Sequence, residues 1–401
     1  MSQKTLFGDD SQPIANPFRP SAGHMPPYLA GRSEERDEFG RLLKQSVVMQ
    51  NPVLTGLRGV GKTVLLETFK PLAHQSGWLW VGTDMSESAS VSEANLLTRL
   101  ITDVAVISYS FTARVEGSRG TEEHSLDNAY LMERCNAAPG LMSDKLRAIL
   151  ELLHQSMPQE YKGIVFAYDE AQNLSDHADD NEYPLSLLLE VFQSVQRRNI
   201  PFMLLLTGLP TLVPKLVAAR TYAERMFKTL FLERLDEDQS KEAITRPLKQ
   251  FPIQFSNDSV DLIYRKSGGY PYFIQFICRE LFDVYLVQHA RKEKLVVPMR
   301  DIVKRLDKDF FAGRWTNASD RQRELMHIIA ELPNSDGEFS VKEIAAASKN
   351  RPDIKPFSSS HINQMLGSLA TAGLVFKNRY GKYSFAVPLL NEFINRQDDI
   401  S

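Results

Sequence analysis

The eight residues from Gly56 to Thr63, GLRGVGKT, constrain this chain more than any other stretch. They fit the pattern G-x-x-x-x-G-K-[ST], and they lie between a short apolar run, Val53 to Thr55, and a helical periodicity running from Lys62 to Gln75. A strand that passes through a glycine loop into a helix aims several backbone N–H groups at one point, where the helix N-terminus adds a partial positive charge. Such a point binds phosphate. Gly56, Gly59 and Gly61 let the backbone curl, while Leu57, Arg58, Val60 and Val64 complete the loop and the first helical turn. Lys62 is placed to bridge the β- and γ-phosphate oxygens, and the hydroxyl of Thr63 to ligate magnesium. The expected ligands are ATP and Mg.

A second constellation completes this chemistry. The apolar run Ile164 to Tyr168 ends in Asp169 and Glu170, and a carboxylate pair at the end of a buried strand is costly unless it is used. Asp169 is the candidate for the magnesium shell and Glu170 for polarising the attacking water. Gln172 and Asn173 follow as turn residues or further polar contacts, and Thr207 ends the next apolar run before Gly208. The run Asp176, His177, Asp179, Asp180, Glu182 reads as a solvated acidic loop rather than a metal site.

Around these motifs, strand-like and helix-like segments alternate. Helices are expected at 33–45, 62–75, 92–106, 143–154 and 184–197, and strands at 53–55, 79–82, 164–168, 202–207 and 229–232. Alternation of this kind favours a parallel sheet with helices on both faces. Residues 109–140 break the rhythm and read as a loop or a weakly helical insertion. After Leu235 helical periodicity takes over, at 239–248, 259–266 and 272–288. Capping boxes at Ser319 to Gln322 and Ser340 to Glu343 open two more helices. A third carries Ile362, Met365, Leu366 and Leu369 on one face, stops at Gly373, and is followed by a hairpin over 374–387. Three helices and then a hairpin is the order of a winged helix.

Composition narrows the class. A chain of 401 residues with 43% apolar and 24% charged residues suits two or three globular domains. No apolar stretch approaches the ~20 residues of a membrane span, and the Met1–Lys4 start lacks a secretory h-region, so a cytoplasmic protein with no membrane contact is expected. Cys135 and Cys278 are far apart and in no ligand spacing, which favours two reduced buried thiols. With a net charge of -3, no global basic field points to nucleic acid, so any DNA contact is local.

The set resembles the additional-strand class of P-loop ATPases, in which a polar residue at the position of Thr207 senses the γ-phosphate. Gly31, Arg32, Ser33, Glu34 and Glu35 look like the GRxxE box of origin-recognition-type AAA+ ATPases and the related STAND signalling ATPases, where it packs near the adenine. Ser267 to Tyr272 resembles the GG-x-P turn of their lid, with Pro271 against the nucleotide, although the chain departs here from members that place an arginine in this helix as a second sensor. GLRGVGKTVLL, DEAQNL, TGLP, YAERMF and GGYPYF together are similar to a family of prokaryotic AAA+ ATPases with an origin-recognition-like ATPase domain and a C-terminal winged helix. The likeness implies an α/β fold with a parallel sheet core of P-loop NTPase, AAA+ type, a helical lid and a winged helix. It implies a flexible segment over 1–26, an ATPase core over 27–235, a lid over 236–312 and a winged helix over 313–401.

The resemblance also implies an arginine finger at Arg225, with Arg220 as a rival, and therefore a homo-oligomer. In the winged helix, Ser358, Ser359, Ser360, His361, Asn363, Gln364 and Ser368 line the polar side of the third helix, and Lys377, Arg379 and Lys382 sit on the hairpin. This pattern suits double-stranded DNA. Yet residues 319–401 hold ten basic and ten acidic side chains, so an unknown protein partner is the alternative. Two uses remain: a DNA-associated ATPase resembling initiators or transposition regulators, and a STAND-like switch acting through a protein contact.

Overall fold

The computed structural model describes residues 14–398 apart from 22, 118, 119, 353 and 380, and it divides into two compact units. One unit comprises Arg32–Gly56 and Lys62–Leu232; the other comprises Met1–Gly31, Leu57–Gly61 and Glu233–Ser401.

The first unit alternates as the periodicity predicts. Its elements are α1 (Ser33–Leu42), β1 (Asn51–Gly56), α2 (Lys62–Gln75), β2 (Trp78–Val81), α3 (Glu93–Ser108), a hairpin of β3 (Thr112–Gly117) and β4 (Gly120–Ser125), α4 (Asn128–Ala137) and α5 (Met142–Ser156). They continue through β5 (Gly163–Tyr168), α6 (Pro184–Arg197), β6 (Phe202–Gly208), α7 (Leu212–Ala219), α8 (Ala223–Met226) and β7 (Phe227–Leu232). Five strands form one parallel sheet in the order β2-β5-β6-β1-β7. Strands β1, β5 and β6 are buried along their whole length, as expected of parallel strands covered on both faces, and they take Asn51, Thr55 and Thr207 into the interior with them. On one face Phe166 meets Phe192 of α6 at 5.0 Å between ring centroids, and α1 stacks on α2 through Phe39 and Phe69 at 4.2 Å.

Residues 109–140 differ from the expectation of a loop or weak helix. They form the β3–β4 hairpin and α4, the latter capped by Asp127, whose carboxylate accepts from Tyr130 N at 2.8 Å. The hairpin carries Arg114 opposite Glu123, an exposed cross-strand ion pair at 2.9 Å. Phe111, Ala113 and Val115 alternate with Thr112, Arg114 and Glu116, but the paired strand Gly120–Ser125 repeats no such alternation.

The second unit begins earlier than expected. Residues 1–13 of the expected flexible segment lie outside the described residues, but Phe18 is 0% exposed and packs on Phe255 and Phe282. Asn16 Nδ2 donates to Arg279 O (2.9 Å) and Asp283 Oδ1 (2.8 Å). The unit continues with α9 (Glu237–Thr245), α10 (Asn257–Ser267), α11 (Pro271–Ala290), α12 (Met299–Leu306), a π-helical turn (Asp307–Phe311) and α13 (Ala312–Thr316). Then follow α14 (Asp320–Ala330), β8 (Phe339–Ser340), α15 (Val341–Lys349), α16 (Ser359–Thr371), β9 (Val375–Arg379), β10 (Lys382–Phe385) and α17 (Leu390–Asp398). Both capping boxes close: Ser319 Oγ and Ser340 Oγ accept from the N–H groups of Gln322 (3.3 Å) and Glu343 (3.2 Å).

Strands β8, β10 and β9 make a small antiparallel sheet in that order. The hairpin was expected; β8, the π-helical turn and α17 were not. Through the turn runs a column of rings: Tyr272 to Phe310 at 5.0 Å, Phe310 to Phe311 at 4.9 Å, Phe311 to Phe393 at 5.0 Å and Phe393 to Trp315 at 5.9 Å. Cys135 and Cys278 are free and buried, and among the described residues no helix is long and apolar enough to cross a membrane.

Candidate functional site

In the first unit, β6 lies between β1 and β5, so three adjacent parallel strands deliver their carboxyl ends side by side. That edge is where ligands settle on open α/β sheets. Lys62 Nζ donates to Gly56 O at 3.0 Å, drawing the start of α2 toward the end of β1. Thr63 Oγ1 donates to Asp169 Oδ2 at 2.5 Å although β1 and β5 are not neighbours. The structure thus brings Gly56, Lys62, Thr63 and Asp169 together, with Val64 in the same helical turn.

Asp169 is 3% exposed. Burial pushes its carboxyl above the usual carboxylate range, while the Thr63 hydroxyl and the Glu170 N–H (2.8 Å to Oδ1) hold it down; the Glu170 charge raises it again and the Lys62 charge lowers it. Its backbone is pinned by Met85 N donating to Asp169 O at 2.8 Å and by its own N–H donating to Thr83 O at 3.3 Å. Glu170 sits in the left-handed region, φ 51° and ψ 31°, where a residue with a Cβ is held at a cost of about 1–2 kcal/mol. Strain of this kind concentrates at functional sites. Continuing the register of β5 and β6, in which Tyr168 stands opposite Leu206, by one step sets Thr207 beside Asp169. Thr207 is 0% exposed, and its Oγ1 has no hydrogen-bond partner.

On sequence Gln172 is a turn residue or a further polar contact, and the structure gives it three hydrogen bonds. Its Nε2 donates to Glu170 Oε2, its Oε1 accepts from Leu209 N at 3.0 Å, and its backbone carbonyl accepts from Lys215 Nζ at 2.6 Å. A carboxamide two residues past a carboxylate pair was the available signal. The acidic run is also more than a solvated loop: Asp176 accepts from Ser186 N (2.9 Å) near the start of α6, and Glu182 accepts from Glu93 N (2.7 Å) at the start of α3. Both act as anionic caps.

Arg225 is exposed, and its side chain makes no hydrogen bond or ion pair among the described residues, whereas Arg220 pairs with Glu190 at 3.2 Å. Arg32 is buried, pairs with Glu35 at 3.5 Å, and has its pKa lowered chiefly by that burial.

In the second unit, Gly59 and Gly61 have φ of 77° and 92°, values that only glycine adopts without strain. Gly59 O accepts from Tyr272 N at 3.1 Å, next to Pro271, which opens α11 as its first residue. Val60 is buried, Leu57 and Arg58 are half-buried, and Arg58 Nε has no hydrogen-bond partner. Gly31 lies against Gln239, whose Oε1 would be 2.4 Å from a Cβ added there. On α16, Ser358, Ser359, Ser360, His361, Asn363 and Gln364 are exposed, while Ser368 Oγ accepts from Gln322 Nε2 at 3.0 Å. Lys377 is exposed, Lys382 pairs with Glu343 at 3.4 Å, and the side chain of Arg379 lies outside the described residues.

A family described as a domain of unknown function (DUF8462) matches residues 308–394. No curated protein matches the chain. Among solved structures, the chain is similar to a Walker-type ATPase of Pyrococcus abyssi, with a TM-score of 0.59 and 15% identity over 92% of this chain and 96% of that one. It is also similar to an Aeropyrum pernix ORC2 protein in its ADP form, with a TM-score of 0.55 and 16% identity over 95% and 98%. The fold is that of an AAA+ P-loop protein. At these identities the likeness is one of fold.

The left-handed backbone at Glu170 generates a test. Glu170→Gly relieves the Cβ conflict but adds freedom to the unfolded chain, so the unfolding free energy should be equal to wild type or up to about 1 kcal/mol higher. Denaturant unfolding measures it, and a loss above that scale would mean Glu170 is not held against its preference.

Proposed function

We propose that the chain is an ATPase that binds ATP with magnesium at residues 56–64 and uses hydrolysis to switch conformation. The carrying observation is the Thr63–Asp169 contact, a hydroxyl and a carboxylate oxygen 2.5 Å apart at the end of the sheet. This is the oxygen donor set that a hard, small cation takes in phosphate sites. Thr63 and Asp169 would hold magnesium, which when bound neutralises charge on the phosphate oxygens. The fold neighbours support a nucleotide here, one being a Walker-type ATPase and the other an ADP form.

The chain's own groups take separable roles. Backbone N–H groups of the loop cradle phosphate, and Lys62 exchanges its bond to Gly56 O for phosphate oxygens. Glu170 orients water and accepts its proton, and Thr207 supplies a hydroxyl with no competing partner. Gly31, Arg32 and Pro271 are assigned to nucleotide binding on the resemblance of their motifs. The domain division proposed is 27–235 for the core, 236–312 for the lid and 313–401 for a winged helix.

Lys62→Ala should erase the stabilisation given by Mg·ATP, which for wild type amounts to about 2.7 kcal/mol at 100 times the dissociation constant. Thermal unfolding with and without nucleotide reads it directly. An unaltered shift in the variant would remove the loop from the site. Glu170→Gln should bind ATP as wild type does and turn over far more slowly.

The exposed, unpartnered Arg225 is proposed as a finger completing the site of a neighbouring copy, a role worth ~10³ to 10⁵ in rate. Mixing Lys62→Ala chains with Arg225→Ala chains should restore part of the lost hydrolysis. Mixtures no more active than the separate variants would assign Arg225 to the surface.

The exposed uncharged face of α16 supports double-stranded DNA as a partner, its amides facing base edges and Lys377 the phosphates. The balanced charge of residues 319–401 and the pairing of Lys382 with Glu343 favour the second reading, a protein contact. In low-salt binding of the full chain to duplex DNA, Lys377→Ala should weaken all sequences alike and reduce the salt slope by about 1. Asn363→Ala and Gln364→Ala should instead alter preference among sequences. No binding with or without ATP would leave the protein-contact reading.

A further inference from the structure

Gln172 occupies the short 3₁₀ turn Ala171–Asn173 that follows β5, and this turn is fastened on two sides. Asn173 Nδ2 donates to Met85 O at 2.9 Å, and the Gln172 carbonyl accepts from Lys215 Nζ at 2.6 Å. Lys215 belongs to α7, also donates to Ser175 Oγ at 3.0 Å, and burial lowers its pKa. With its backbone held, the Gln172 side chain reaches two ways: its amide N–H donates to the Glu170 carboxylate, and its amide oxygen accepts from Leu209 N, just past β6.

Only a primary carboxamide of this length does both, because it carries a donor and an acceptor on one rigid plane. Gly208 lies against the same oxygen: a Cβ built there would stand 2.6 Å from Gln172 Oε1. Its φ does not call for glycine, so the requirement is one of close approach.

We propose that Gln172 is a positioning residue that fixes the Glu170 carboxylate for water and makes that placement depend on the end of β6 and on α7. The inference rests on the ATPase reading and deepens it. Thr207 lies two residues before Leu209 on β6, and α7 leads to α8, which carries Arg225. A displacement of either element therefore moves the oxygen that would orient water, through one side chain.

The test compares the full wild-type chain with Gln172→Glu, Gln172→Met and Gly208→Ala in steady-state hydrolysis, Mg·ATP affinity and melting temperature. Gln172→Glu keeps an acceptor for Leu209 N and removes the donor to Glu170. Its kcat should fall by ~10²-fold, the scale of a misplaced reacting group. ATP affinity should stay within about twofold, because ground-state binding is not touched. Gly208→Ala should lower kcat from the other side of the same contact, and combining it with Gln172→Met should cost less than the two losses multiplied. Unchanged kcat in Gln172→Glu beside Lys62-dependent hydrolysis in wild type would overturn the positioning role and leave the ATPase reading standing. A parallel loss of affinity and turnover, or fully multiplicative losses, would also overturn it, as general damage to the site. Wild-type hydrolysis that is absent or independent of Lys62 would overturn both.

Discussion

A carboxylate at the end of a wholly apolar strand organises this molecule. Leaving an ion in a protein interior costs several kcal/mol unless it is compensated. Asp169 is compensated by two donors aimed at separate oxygens, the Thr63 hydroxyl and the Glu170 N–H. Hydrogen bonds to charged groups contribute about 1.5–3 kcal/mol each, so the pair offsets part of that cost, and burial still leaves the carboxyl above the usual carboxylate range. Each donor imposes a condition. Thr63 must stand at the start of α2, which fixes how the glycine loop closes. Glu170 must turn its N–H back on its neighbour, and it sits in the left-handed region while doing so.

The parts set by unbroken apolar runs or by glycine and capping chemistry were readable from the sequence. The positions of the buried strands, the loop between β1 and α2, both late capping boxes and the final hairpin are of this kind. What could not be read depends on a few residues acting against their surroundings. Phe18 anchors a proline-rich lead-in through one ring, too little to make a periodic pattern. In the β3–β4 ribbon only β3 alternates, through Ala113 and Val115, and beside a polar β4 that run is too short to mark a hairpin. A π-helical turn is one residue wider than its neighbours, and no residue type announces it.

At the candidate site, the residue types were legible and their couplings were not. The pattern could name Thr63, Asp169 and Glu170, but could not show that Gln172 spans from Glu170 to Leu209, since Leu209 takes part through a backbone N–H. The acidic run misled in a related way. Asp176 and Glu182 look like solvated charge until Ser186 near the start of α6, ten residues past Asp176, and Glu93 at the start of α3, 89 residues before Glu182, are brought over them. On sequence Arg225 is the candidate finger and Arg220 its rival, and of the two side chains only that of Arg220 is engaged among the described residues, in its ion pair with Glu190.

The column of rings from Tyr272 to Trp315 has a mechanical meaning. Packed aromatic rings are nearly incompressible at thermal forces, so a push at one end is transmitted as displacement rather than absorbed. Tyr272 is tied by its N–H to Gly59 O, and Phe393 belongs to the last helix of the chain. Because the π-helical turn places Phe310 and Phe311 consecutively in the column, the chain itself is a rung of it. The Gly59 carbonyl and the C-terminal helix α17 are thus linked by one continuous run of ring contacts, although they lie more than three hundred residues apart in sequence.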